Sequence, residues 1–184
     1  MAGLTLELTR VLPTPRSVVF AAFSDPTRLT QWFGPEGFTT SSVEFQPRVG
    51  GRYRIDMQPP DADRFYLTGE FRELDPPARI AYTFVWEDPS PDDVETVVAL
   101  AFRDLGDATE VALSQGSFKT QDRLALHRDG WADSLDKLEH VVCAPSIRQP
   151  HAKAIETGAH DSRPANTKKG RRHGNVRGDC RASA

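Results

Sequence analysis

Between residues 38 and 114 the apolar side chains of this chain recur at every second position, and between 120 and 142 they recur at steps of three and four. A chain that changes period in this way can bury both sets by laying an amphipathic helix on one face of an antiparallel sheet. The two-residue period comes in short runs separated by turn residues. Val43 and Phe45 mark the first, and Val49-Gly50-Gly51 reads as the hairpin turn after it. Tyr53, Ile55 and Met57 then share a face, as do Phe65, Leu67, Gly69 and Phe71. Ile80, Tyr82, Phe84 and Trp86 follow beyond Asp75-Pro76-Pro77, then Val94, Val98, Leu100 and Phe102 beyond an acidic loop. A last run, ATEVALS, ends near Ser114. Six successive strands joined by tight turns predict an antiparallel sheet.

The helical period sits in TQDRLALHRDGWADSLDKLEHVV (120–142), where Leu124, His127, Trp131, Leu135, Leu138 and Val142 form one stripe. Upstream, LTLELTRVL (4–12) alternates as a half-buried strand. Thr14-Pro15 predicts a helix start with the threonine hydroxyl as cap, and Val18, Val19, Ala22 and Phe23 continue it. Asp25-Pro26 repeats the signal for a second short helix running to about Phe33, which Gly34-Pro35 stops. The expected order is β-α-α-β6-α, an α+β fold in which the long C-terminal helix covers the sheet.

Charge divides the chain. Residues 1–143 hold every Phe, Trp and Tyr and carry 14 Lys and Arg against 23 Asp and Glu, whereas 144–184 carry 9 against 3. The C-terminal stretch has too few apolar residues to offset its ordering entropy, so the expected organisation is a domain over 1–143 and a disordered basic tail over 144–184. Its Lys168-Lys169-Gly170-Arg171-Arg172 cluster suits weak contact with nucleic acid or an acidic partner, without aromatics to stack on bases. Cys143 and Cys180 match no metal or redox spacing. No secretory signal or membrane span is expected, and a cytoplasmic setting fits.

Four blocks in order carry a family resemblance: PTPRSVVFAAFSDPTRLTQWFGPEGF (13–38), PRVGGRYRIDM (47–57), LTGEFRELDPPARIAYTFVW (67–86) and Gly130-Trp131. With them the chain resembles the heat-shock protein 90 ATPase activator homologue family in its short bacterial single-domain form. That family lies within the START-like or SRPBCC superfamily, also called birch-pollen-allergen-like. The resemblance implies a helix-grip fold, a curved antiparallel seven-stranded sheet wrapped around the C-terminal helix, with an apolar cavity between them. It implies no shared catalytic triad. Relatives include lipid and hormone binders, polyketide cyclases and co-chaperone domains, so fold alone leaves function open.

WFGPEGF (32–38) has the glycines of a phosphate cradle, but they follow a helix rather than precede one, at the wrong end of the dipole. It reads as turn plus core, with Trp32 at the lip of the cavity. The candidate ligand-binding residues are Trp32, Tyr53, Tyr82, Phe84, Trp86, His127 and Trp131. His127 is either a polar anchor on the floor of an apolar pocket or a histidine at the edge of the stripe with a backbone partner. Gly130, costly in a helix, suggests close backbone approach to sheet or ligand. Glu70 should point away from the inward residues and Glu73 should sit at the rim. No catalytic residue, metal site or cofactor is expected. Three functions follow: a binder of a small apolar or aromatic ligand, a co-chaperone-like protein-binding module on a chaperone ATPase, or a cyclase- or hydrolase-type enzyme using the same cavity.

Overall fold

The computed structural model describes residues 3–144; the basic tail lies outside the described residues. The sheet runs β1 (Leu4–Leu12), β2 (Val43–Phe45), β3 (Arg52–Met57), β4 (Phe65–Asp75), β5 (Arg79–Trp86), β6 (Thr96–Asp104) and β7 (Thr109–Phe118). Its spatial order is β1-β7-β6-β5-β4-β3-β2, and every pair is antiparallel. Helices α1 (Arg16–Ser24) and α2 (Pro26–Leu29) link β1 to β2, and α3 (Gln121–Cys143) closes the domain. This is the expected α+β helix-grip fold, with the sheet curved around α3. Among the described residues no helix is long and apolar enough to cross a membrane.

Alternation places one face of each strand in the core, where Ile55, Leu67, Phe84, Val98, Leu100 and Val111 meet Leu135 and Leu138 of α3. Curvature has local causes. Register slips between Phe71 and Glu73 on β4 and between Leu4 and Leu6 on β1 bend the sheet at irregularities of the bulge type. Gly69 faces Tyr53 in the β3–β4 register, and a Cβ there would stand 1.9 Å from the Thr83 carbonyl oxygen and 2.6 Å from the Tyr53 ring. Only glycine fits under that ring.

The helix starts divide the sequence expectations. Asp25 caps α2, accepting the Thr27 and Arg28 amides at 2.8 and 3.3 Å. Thr14 does not cap α1. The helix begins after Pro15 without a side-chain cap, and the Thr14 hydroxyl donates instead to the Val142 carbonyl at the end of α3, 3.4 Å away. The segment before α1 is tied to the end of α3 there because the hydroxyl found a tertiary acceptor. Helix α2 stops at Leu29, and Trp32 and Phe33 continue in turns that donate back to the Leu29 carbonyl.

Two apolar assignments and two boundaries also shift. Val18 is 37 % exposed, and Phe20 takes the buried place on α1. Val94 lies before β6 and is 44 % exposed, while Thr96 turns inward. β7 runs four residues past Ser114, to Phe118. The turn expected at Val49-Gly50-Gly51 is the end of a longer loop, with Gly50 in the left-handed region at φ 76°.

Candidate functional site

Helix α3 presents His127, Gly130, Trp131 and Ser134 on one face, as their spacing of three, four and seven requires. Opposite them stand Phe84 and Trp86 of β5, with Met57 and Phe65 at the neighbouring ends of β3 and β4. The loop Gly34–Phe38 closes the side. Together they enclose a mostly apolar cavity of about 190 Å³. Leu126, 57 % exposed, marks its mouth. The walls are held by edge-to-face ring contacts: Phe38 on Phe65, Phe65 on Trp86, and Trp86 on Phe84 at 4.9 Å between centroids.

The sequence candidates fall into two groups. Phe84, Trp86, His127 and Trp131 line this cavity. Trp32, Tyr53 and Tyr82 line a separate void of about 20 Å³, near the volume of one water, deeper between α2 and the sheet. Trp32 is fully buried, packs on Phe23 and donates its indole N–H to the Ala22 carbonyl at 3.0 Å. Tyr53 spends its hydroxyl on the Thr83 carbonyl at 2.6 Å. Burial pushes both tyrosines above the ordinary phenol range, Tyr53 with help from Tyr82, so both stay protonated at neutral pH.

Polar chemistry at the cavity centres on a residue that the strand reading stopped short of. Gln115, fully buried on β7, accepts the Trp131 indole N–H at 2.7 Å and donates to Thr96 Oγ1 at 2.8 Å. The same amide nitrogen donates to His127 Nδ1 at 3.3 Å. An indole N–H can only donate, so it fixes the Gln115 oxygen, which turns the amide N–H2 toward Thr96 and His127. His127 Nδ1 is then the acceptor and Nε2 carries the proton. Gln115 was legible in principle, since it shares the inward parity of Val111 and Leu113.

Burial pushes the His127 imidazole down to about 4, with Asp93 opposing and Arg123 reinforcing. At neutral pH it is an uncharged donor and a weak base. Phe84 and Phe118 lie against its ring at 5.2 and 4.9 Å. Its partner is thus the Gln115 side chain, where the sequence had offered a backbone group. Glu70 and Glu73 sit away from the cavity in ion pairs with Arg72 and Arg79. Among the described residues no three His, Cys, Asp or Glu side chains cluster as metal ligands would.

The Gly34–Phe38 loop has the opposite polarity to a phosphate cradle. Lys137 Nζ donates to the carbonyls of Gly34, Pro35 and Phe38 at 3.0, 3.3 and 3.2 Å, so three of the loop's oxygens converge on a cation. Asp133 accepts the Glu36 amide at 3.1 Å. Burial lowers the Lys137 ammonium from its ordinary value, against the pull of Glu36 and Asp133. The close approach to sheet or ligand expected at Gly130 is not found: a Cβ there would meet only Pro35 Cγ of this loop, at an ordinary contact distance of 3.4 Å. Replacing Lys137 by Met keeps the stem and removes the three donations. A loss of about 1–2 kcal/mol in urea unfolding is expected, with faster amide exchange at Phe38. Unchanged exchange there would show that other contacts hold the loop.

A family model described as Activator of Hsp90 ATPase homolog 1-like protein matches residues 13–142, most of the chain. The chain belongs to that family. Protein CV1439 from Chromobacterium violaceum is 29 % identical to this member at a TM-score of 0.70, over 75 % of this chain and 96 % of its own. The AHSA1 protein SPO3351 from Silicibacter pomeroyi is 26 % identical at 0.65, over 74 % and 95 %. CalU16 from Micromonospora echinospora, 21 % identical at 0.59 over 76 % of both chains, shares the fold of the Activator of Hsp90 ATPase homolog 1-like family. Among curated proteins no match was found.

Proposed function

We propose that this protein binds a small apolar or aromatic molecule in the cavity between β5 and α3, acting in the cytoplasm. The observation that carries the reading is the cavity itself: about 190 Å³, walled by aromatic rings, with few polar groups, His127 among them. Such concave, mainly apolar spaces with a few placed polar groups are the usual form of small-molecule sites. Catalysis has less to stand on, because His127 is shifted away from neutrality and the tyrosines titrate high.

The test is native mass spectrometry of the full chain purified from its own host, with gentle organic extraction in parallel. A co-purifying neutral molecule is expected, and it should be absent from Gly130→Leu, whose side chain would occupy the cavity beside Pro35. Loss of the bound molecule with an unchanged thermal midpoint supports the reading. A wild-type protein that carries nothing in either assay counts against it. The family's description favours a second reading, a co-chaperone-like module acting on a chaperone ATPase. Capture of the host's heat-shock protein 90 homologue by an empty protein would be its signature.

A further inference from the structure

The hydrogen-bond chain behind the cavity restricts what the cavity can hold. Trp131 Nε1–H, Gln115 and His127 Nδ1 form a directed series in which each donor has one acceptor available. It ends at His127 Nε2–H, which has no hydrogen-bond partner among the described residues, on a ring that lines the cavity. Once a ligand displaces water from it, this half-buried donor favours a ligand acceptor and penalises a ligand that offers none. Of the other polar side chains in the lining, Ser134 donates to the Gly130 carbonyl at 2.7 Å and the Trp131 indole to Gln115, which leaves the Trp86 indole N–H as a second side-chain donor, on the β5 wall. No Lys or Arg lines the cavity, and the Lys137 ammonium beside it is occupied by three carbonyls. A carboxylate entering there would lose its hydration without a counter-charge. The volume suits one ring: an apolar cavity of about 150 Å³ takes one benzene, and this one measures about 190 Å³.

We propose that the ligand is a neutral arene of one substituted ring bearing a carbonyl-type acceptor, which His127 Nε2–H grips while the ring lies among Phe38, Phe84 and Trp86. This rests on the small-molecule reading above and adds the ligand class to it. Gln115 is the positioning residue, acting through His127. The inference separates from the binding reading in one experiment with three probes on the full chain. Acetophenone carries the acceptor, α-methylstyrene has the same shape without it, and benzoate has acceptors and a charge.

Acetophenone should bind, and His127→Phe should weaken it about five- to tenfold, the effect of one desolvated hydrogen bond. The same variant should leave α-methylstyrene within about twofold, because the aromatic surface is kept. Benzoate should bind the parent protein at least about tenfold more weakly than acetophenone. If both neutral probes bind and His127→Phe changes them equally, the cavity reading stands and the ligand class falls. If neither binds at millimolar concentration, both fall. The tautomer is checked in the parent protein, so a misfolded variant does not decide the matter. Imidazole nitrogen NMR should show His127 protonated at Nε2 and bare at Nδ1, and the opposite assignment overturns the proposal.

Discussion

Trp131→Ala is expected to cost about 3–5 kcal/mol of folding stability, the range for removing a large aromatic from a packed core. The indole is 4 % exposed and meets Phe33 edge-on at 5.8 Å. It sits on the face of α3 that carries Leu135 and Leu138 into the core, so little can collapse into its place. Truncation also removes the only donor to Gln115 Oε1 among the described residues, leaving a buried carbonyl to find water in the cavity. Trp131→Phe separates the two losses, since it keeps most of the ring and lacks the N–H; it should cost about 1–3 kcal/mol. In thermal unfolding the alanine variant should melt on the order of 10–20 °C lower. A midpoint within a degree of the parent would refute the packing assignment.

Mild acid should weaken the fold through His127. Its imidazole titrates near 6.5 when unfolded and at about 4 in the fold, where burial excludes the charged form. Between those values the unfolded chain binds a proton that the folded chain refuses, so stability falls as pH falls. The effect is absent above about 6.5 and levels off below about 4. A full shift would be worth about 1.4 kcal/mol per unit. Partial solvent access to the ring reduces the total to about 2–3 kcal/mol. The carboxylates with lowered values, Asp56 and Glu87, lose their contribution only as pH falls below about 4.5, their unfolded range. The interval from pH 6.5 to 5 therefore belongs mainly to His127. Urea unfolding across it should show the decline in the parent protein and a flatter profile in His127→Phe. Equal slopes would mean that the ring is more solvated than its packing against Phe84 and Phe118 indicates.

The sheet and its covering helix were legible because local periodicity records which face each element buries. The parity of Tyr53, Ile55 and Met57, and the stripe from Trp131 to Leu138, survive any reasonable packing of the chain. Asp25 was legible as a cap for the same reason, since its acceptors lie two and three residues away. Thr14 was not, because a hydroxyl's choice between its own helix and the Val142 carbonyl depends on where a helix more than a hundred residues later comes to rest.

The candidate site divides along the same line. That Phe84, Trp86, His127 and Trp131 share an interior follows from parity and stripe; that Trp32, Tyr53 and Tyr82 border a different void does not. Parity assigns a side chain to a face, but neighbours from other strands decide which part of that face it fills. Gln115 shows the limit most clearly. Its inward direction is written in the alternation of β7, yet its role depends on Trp131 and His127 arriving from α3 on either side of one amide. The sequence by itself determined the elements, their inward faces and hence an antiparallel sheet covered by one long helix, because those rest on contacts within a turn or along a strand. Only the tertiary structure decided the cavity, its walls and the protonation of its histidine, because hydrogen-bond direction is set by partners that the folded chain brings together.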